Sequence, residues 1–457
     1  MRIAKVPSAT WSVGLVSLGC AKNLVDTEHM ATVLRRDHIL LAHSPDEADV
    51  VLVNTCGFIG DARRESADAI RRACIRKNAG FHRAVIVAGC LAQRYRRELF
   101  RAMPDVDAFL GLDQVDRIGQ IVRRLQAGQR RVFAITPVAM RLYESGDDRL
   151  VLTGGPFAYL KIAEGCDHRC AFCAIPAIRG RYRSRTPAAI LREAETLLGQ
   201  GIRELNLIAQ DVTAYGRDRH ARNGLARLIR DLGRIGGRFW IRLLYGYPDS
   251  VSDELLDTIG MVDQACHYLD VPIQHSHPAM LRAMRRAGTA AAVGSLTEHI
   301  RSHVPDMVVR TTCIAGFPGE TAAHFRHLRE YLAMAAFDHL GVFRYSPEEG
   351  TPAFTMVQPV AAATADRRRR ILMREQQMVV HRRHAAMIGR KVEILLTDLA
   401  VSGRTKRTGR TRGQAPDVDG MVMVSGVPAR LRSGAFITAR ITGGQGYDLA
   451  ATYGASR

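Results

Sequence analysis

Within the first 100 residues the same unit occurs three times: a short, mainly apolar run, then glycine or threonine, then cysteine. Residues 13–18 lead to Gly19-Cys20 and a helix-like stretch over 24–35, residues 50–54 lead to Thr55-Cys56-Gly57, and residues 84–88 lead to Gly89-Cys90. Apolar strands without a polar face, alternating with helices, form a parallel sheet covered on both sides. In such a sheet the carboxyl ends of neighbouring strands line the binding crevice, so Cys20, Cys56 and Cys90 are expected at one edge despite their separation in sequence. Three packed, inert thiols would use the same residues, but their shared position at strand ends favours ligation.

The rest of the chain divides by texture. We read residues 10–125 as a parallel, flavodoxin-like α/β domain and 126–155, polar and ending in Thr153-Gly154-Gly155-Pro156, as a linker. Between 156 and 385, six strand candidates (157–163, 204–209, 239–245, 268–273, 308–315 and 338–344) alternate with helical stretches such as 187–199, 251–263 and 320–335. That repeat predicts a partial (β/α)6 barrel, since eight units would need more chain. A long helix is expected over 364–388, stopped at Gly389. Beyond it, four short alternating strands (392–396, 421–424, 435–442 and 447–451) predict a small β-barrel over 386–454.

A chain of 457 residues and 50.5 kDa, 47% hydrophobic and 24% charged, is a multidomain globular protein and not a single small binding module. It holds no run of about 18 apolar residues, and Met1-Arg2-Ile3-Ala4-Lys5-Val6-Pro7 lacks an apolar signal core, so no membrane partner and a cytoplasmic location are expected. The formal charge is +20, with 59 arginines and only six lysines. That excess suits RNA or a ribosome as neighbour, although a solvated, arginine-rich surface would also carry it. The cysteine count of nine is odd, which argues for metal or catalytic thiols over a disulfide framework.

The densest local signal is Cys166-Asp167-His168-Arg169-Cys170-Ala171-Phe172-Cys173, directly after the first barrel strand. Three close thiolates can ligate three irons of a 4Fe-4S cluster and leave the fourth open to a chelator. A zinc ion completed by His168 is the alternative. A CxxxCxxC after the first strand of a six-unit βα barrel, with an aromatic residue before the last cysteine, resembles the radical S-adenosylmethionine (SAM) superfamily. The resemblance implies that SAM chelates the open iron through its amino and carboxylate groups and that one-electron reduction releases a 5'-deoxyadenosyl radical. It also implies cofactor contacts at Phe172, at Gln210 after the second strand, at Arg242 on the third, at Gln274 after the fourth and at Arg310 on the fifth. The glycines of Gly316-Phe317-Pro318-Gly319 are then expected to let the backbone approach the adenosine closely. Gln210 and Arg310 are expected at the methionyl end of SAM.

Taken together, the two cysteine sets and the C-terminal barrel resemble the radical SAM methylthiotransferases, whose last domain is a TRAM barrel. This implies two 4Fe-4S clusters, the second on Cys20, Cys56 and Cys90 and carrying the sulfur, while a second SAM supplies the methyl group. Among its branches the chain is most similar to the one that methylthiolates the β-carbon of an aspartate in the decoding-centre protein of the small ribosomal subunit. The residues that carry this are Ser17-Leu18-Gly19-Cys20-Ala21-Lys22-Asn23-Leu24-Val25-Asp26, Ile175-Pro176-Ala177-Ile178-Arg179-Gly180 and Ala415-Pro416-Asp417-Val418-Asp419-Gly420. Cys74, Cys266 and Cys313 are read as packing. The expected partners are that ribosomal protein, a flavodoxin-type electron donor, and RNA. The RNA is expected on a cluster of Arg404, Lys406, Arg407, Arg410 and Arg412, with the Asp417 and Asp419 pair facing the protein loop. The alternatives are the same chemistry on a tRNA base, and a non-catalytic iron-sulfur RNA-binding protein.

Overall fold

The computed structural model describes residues 11–144, 148–286, 288–398 and 406–454. Six parallel strands, β1 (Ser12–Ser17), β2 (Leu40–Leu41), β3 (Val50–Thr55), β4 (Ala84–Gly89), β5 (Ala108–Leu110) and β6 (Val132–Ala134), form the first sheet in the order β2-β1-β3-β4-β5-β6. Successive residues of β3 and β4 point to opposite faces. Val50, Leu52 and Ile86 pack with helices α1 (Ala21–Arg36) and α4 (Ile118–Gln126), while Val51, Val53, Val85 and Val87 pack with α2 (Gly60–Asn78) and α3 (Cys90–Ala102). The expected linker begins later than its composition implied, because β6 adds an edge to this sheet from inside it. Three-residue strands such as β5 and β6 carry too few apolar residues to stand out from a loop.

The second sheet is also parallel and open, in the order β14-β13-β12-β11-β10-β7. Its strands are β7 (Phe157–Lys161), β10 (Glu204–Ile208), β11 (Trp240–Leu243), β12 (Ala265–Asp270), β13 (Val308–Ala315) and β14 (His339–Arg344), and a short ladder of β8 (Ala163–Glu164) with β9 (Arg183–Ser184) follows β7. The main apolar core lies between these strands and the helices outside them. The concave inner face is filled by the other two domains. Tyr159, Ile208, Trp240, Leu244 and Tyr268 pack against Ala21, Leu24 and Val25 of α1 and against Leu395, Ala415 and Phe436 of the C-terminal domain.

A long helix, Ala362–Met387, leads to a closed antiparallel-rich barrel ordered β15-β16-β17-β19-β18. Its strands are β15 (Lys391–Leu396), β16 (Lys406–Arg410), β17 (Val422–Ser425), β18 (Phe436–Gln445) and β19 (Asp448–Tyr453). Five strands stand where the sequence suggested four. The missing one is β16, Lys-Arg-Thr-Gly-Arg, which reads as a basic loop because its buried positions are arginines. Arg407 pairs with Asp398, and Arg410 pairs with Glu204 of β10.

This corrects the expected basic patch. Arg407 and Arg410 are 4% and 6% exposed and neutralised by carboxylates, Arg412 is held by Glu393, and Arg404 lies outside the described residues. Of that cluster, Lys406 is exposed. The acidic pair is engaged as well: Tyr159 donates to Asp417 (2.7 Å), while Tyr268 (2.7 Å) and Arg310 (2.8 Å) donate to Asp419.

Burial pushes the Glu204 carboxyl up, but Arg410 and Arg242 outweigh it and hold the group below its ordinary value. A carboxylate depressed in the folded state contributes stability above its unfolded value, about 4.3, and loses it as pH falls through the folded value. Arg410→Glu is therefore expected to lower the melting temperature and soluble yield sharply, while Lys406→Glu leaves both unchanged. Glu204→Gln is expected to flatten the acid limb of the stability profile below about pH 4, which chemical denaturation across pH would read.

Candidate active site

The three N-terminal cysteines meet at the carboxyl edge of the first sheet. Cys20 is the residue before α1, Cys56 follows β3 and Cys90 opens α3. Gly57 permits the approach: a Cβ there would lie 2.7 Å from the Cys90 carbonyl oxygen, so no larger residue fits between the loops. The thiols are close enough to oppose one another's ionisation, with Cys20 and Cys56 both raising Cys90. Burial pushes Cys56 up and Cys90 up to about 12. Cys20 is reachable by water. Withdrawal from bulk solvent pushes its thiol up, but Lys22, Arg179 and the amides of the first turn of α1 prevail and hold it below its ordinary value. Lys22 itself is pulled down to about 8 by burial and lies 3.1 Å from the centre of the Tyr245 ring.

Cys166, Cys170 and Cys173 sit on a loop pinned by backbone hydrogen bonds: Cys166 N–H to the Gly180 carbonyl, Ala171 N–H to that of Met284, and Ala353 N–H to that of Ala171. Burial pushes all three thiols up, Cys166 and Cys173 to about 12. Beside them Tyr247 is layered between the His168 ring, 3.7 Å from its own centre, and the Arg286 guanidinium at 4.2 Å. Tyr247 and Arg286 both favour the Cys170 thiolate.

The two triads are neighbours. Helix α5 (Ile175–Arg179) starts two residues after Cys173, and its Ile178, with Ala174, packs on Cys90. Arg179, 2% exposed, ends α5 and binds both oxygens of Glu164 at 2.9 Å and Asp26 at 2.9 Å. Lys161 closes the network onto Asp26 and Glu164. Two cations and two carboxylates thus lie buried where α1 meets the barrel, beside both triads. The sequence presented Asp26 and Arg179 only as marks of a branch. Lys161 and Glu164 gave no signal beyond being charged residues at a strand end.

A second junction surrounds Glu348. Its carboxylate, 1% exposed, accepts from the Gly60 N–H (2.9 Å), Arg94 (2.8 Å) and Arg63, joining α2 and α3 to the loop after β14. Glu348→Gln is expected to cost about 2 kcal/mol, the scale of a charge-assisted hydrogen bond. Denaturant unfolding and faster proteolysis between the first two domains would report it.

The other expected cofactor residues divide. Gln210 is half-buried, and its amide oxygen and nitrogen are both covered and unbonded, which leaves them available to a ligand. Phe172 packs with Met280, Met284 and Phe317 beside the cysteine loop. Gln274, at φ 68°, bridges to β13 opposite Cys313. Pro318 and Gly316 line a cavity of about 810 Å³ between α2 and the loop after β14. The Gly319 N–H donates to the Gln358 carbonyl at 2.9 Å. Gly316 has a packing reason to be glycine, since a Cβ there would lie 2.3 Å from that of Ala365. Arg242 and Arg310 both face the C-terminal barrel. Arg242 binds Glu204 (2.7 Å) and the Arg412 carbonyl (2.6 Å), and Arg310 binds Asp419. Buried guanidiniums must be paired, and here the third domain supplies the partners.

Each triad offers three sulfurs and no carboxylate ligand, a donor set for soft metal centres. A single zinc at about 2.3 Å from each sulfur needs thiolates less than 4 Å apart. Among the described residues, Asp253, His299 and His303 are the only group of three whose ligand atoms all lie within 4.8 Å of one another, so neither cysteine set is gathered as tightly as a single zinc requires. His168 is engaged elsewhere, its Nε2 bonded to Asp211 at 2.7 Å and its ring stacked on Tyr247, and among the described residues it forms no tight ligand group with the thiols.

Three family models match the chain: uncharacterized protein family UPF0004 over residues 12–111, the radical SAM superfamily over 160–332, and the TRAM domain over 388–453. A protein of Syntrophus aciditrophicus named ribosomal protein uS12 methylthiotransferase RimO is 45% identical over 442 residues, covering 96% of this chain and 97% of that one. One of the same name from Symbiobacterium thermophilum is 44% identical over 98% of this chain and 92% of its own. Among solved structures, the radical SAM methyltransferase TsrM of Kitasatospora setae, with cobalamin and a [4Fe-4S] cluster bound, superposes with a TM-score of 0.54 at 16% identity, covering 75% of this chain and 77% of that one. The likeness is one of fold.

Proposed function

We infer, from the premise that this chain belongs to the RimO family of ribosomal protein uS12 methylthiotransferases, how its two thiol triads divide the work. The chain is a radical SAM methylthiotransferase of a ribosomal protein. Its substrate carbon is the β-carbon of an aspartate in the decoding-centre protein of the small subunit. Cys166, Cys170 and Cys173 hold one 4Fe-4S cluster, and Cys20, Cys56 and Cys90 hold another. When bound, these groups supply the one-electron cleavage of SAM at the first triad and the sulfur at the second.

The observation that carries the reading is that separate domains bring two all-cysteine triads to one interdomain junction. The protein's own part is placement and exclusion of water. The backbone bonds to Gly180, Met284 and Ala353 fix the radical loop, and Phe172 shields it. Gln210 offers an unpaired amide to the methionyl end of SAM. Lys22 and Arg179 place positive charge beside Cys20, which favours thiolate ligation there. RNA contact falls to the exposed Arg390, Lys391, Lys406, Arg430 and Arg432 of the C-terminal domain. A flavodoxin-type protein supplies electrons, and the enzyme works in the cytoplasm.

Mass spectrometry of ribosomal proteins and tRNA nucleosides, from cells with and without the gene, tests this. The expected result is a methylthio mass shift on an aspartate peptide of uS12 that disappears on deletion. Loss of a modified tRNA base, with uS12 unchanged, would overturn it.

A further inference from the structure

We propose that the outer wall of the barrel carries a divalent transition-metal site formed by Asp253, His299 and His303, separate from both cysteine triads. His299 and His303 are four residues apart on the helix Thr289–His303, so their rings share one face. Asp253 opens the neighbouring helix, Asp253–Met261. The Asp253 carboxylate lies 3.3 Å from His299 Nε2 and 3.6 Å from His303 Nε2.

Those separations decide the reading. Histidine–carboxylate hydrogen bonds in this chain are shorter, 2.7 Å for His267 with Asp306 and 2.8 Å for His303 Nδ1 with Asp257. Neither Asp253 contact forms such a bond. Zinc with nitrogen and oxygen ligands at about 2.0–2.1 Å places tetrahedral ligand atoms about 3.3–3.4 Å apart. The two Asp253 separations, 3.3 and 3.6 Å, are close to such edges, and all three ligand atoms lie within 4.8 Å of one another.

The outer arrangement agrees. Asp257 takes the Nδ1 proton of His303, which fixes the tautomer and leaves the Nε2 lone pair facing Asp253. Two imidazoles and a carboxylate favour a borderline ion such as zinc, cobalt or nickel, with a fourth position left to water. Asp253 is exposed and both histidines are partly so, which makes the ion exchangeable and its ligands replaceable without disturbing a core. Bound there, the ion clips together two helices that follow different strands of the open barrel.

The test uses cluster-loaded protein dialysed against zinc, with zinc and iron counted by elemental mass spectrometry and melting followed in parallel. One zinc beyond the clusters should bind at micromolar concentration and raise the melting temperature. His299→Ala and His303→Ala should each remove that equivalent with iron content unchanged. Asp257→Asn should weaken binding about 10-fold, the effect of losing an orienting carboxylate. Equal zinc uptake by the His299→Ala/His303→Ala double variant, or none by the parent protein up to 100-fold above micromolar zinc, would overturn the proposal.

Discussion

Cys170→Ala is expected to reduce SAM cleavage by about three orders of magnitude or more, because ligands of one centre act as a unit and its loss is not graded. Cys56→Ala is expected to behave differently: deoxyadenosine still forms, uncoupled from product, and no methylthiolated peptide accumulates. The contrast follows from where the residues stand. Cys170 lies on the loop pinned to Met284 and Ala353, whereas Cys56 belongs to the sheet edge of another domain. Assaying deoxyadenosine and methylthio peptide in the same reaction separates the two effects. Identical losses in both variants would refute the division of labour between the triads.

The second large effect is expected at Arg179. Its guanidinium satisfies Glu164 and Asp26 in a site closed to water, and removal would leave two carboxylates sharing Lys161. Breaking a buried pair in this way costs about 3–5 kcal/mol, so Arg179→Ala should unfold at markedly lower denaturant. Charge removal would also take from Cys90 the cation that favours its thiolate, and from Cys20 the second such cation after Lys22. The variant should therefore retain less iron, with the shortfall assigned to the N-terminal triad by comparison with Arg179→Ala/Cys56→Ala. Arg179→Lys keeps the charge but loses the two-pronged grip that joins Glu164 to Asp26, and is expected to recover iron retention better than stability.

Much of this was legible in the sequence where periodicity and chemistry coincide. The strands ending at Cys20, Cys56 and Cys90 are apolar on both faces, so their shared edge follows from pattern, while the order β2-β1-β3-β4-β5-β6 is seen only in the fold. The CxxxCxxC loop declares itself by spacing. What sequence did not convey was which charged residues are buried. Arg407 and Arg410 read as a surface cluster because hydropathy assigns arginine to water. Only the fold shows Asp398 and Glu204 waiting for them, the latter some 200 residues away in sequence. For the same reason Arg242 and Arg310, placed at strand ends as cofactor ligands ought to be, are turned to the third domain. Long-range ion pairs have no local signature, and in this arginine-rich chain they are numerous enough to redirect the reading of several positions.

The C-terminal barrel supplies the inner wall of the central one: Leu395, Ala415 and Phe436 cover Trp240 and Tyr268, and Asp417 and Asp419 receive the hydroxyls of Tyr159 and Tyr268. This makes the last domain a poor candidate for exchange during evolution. A gene fusion that replaced it with a different module would strand two arginines and three aromatic rings at an uncovered surface. New specificities in such a chain must then arise by changing the outward loops of the barrel it already has, with the inward half inherited unchanged.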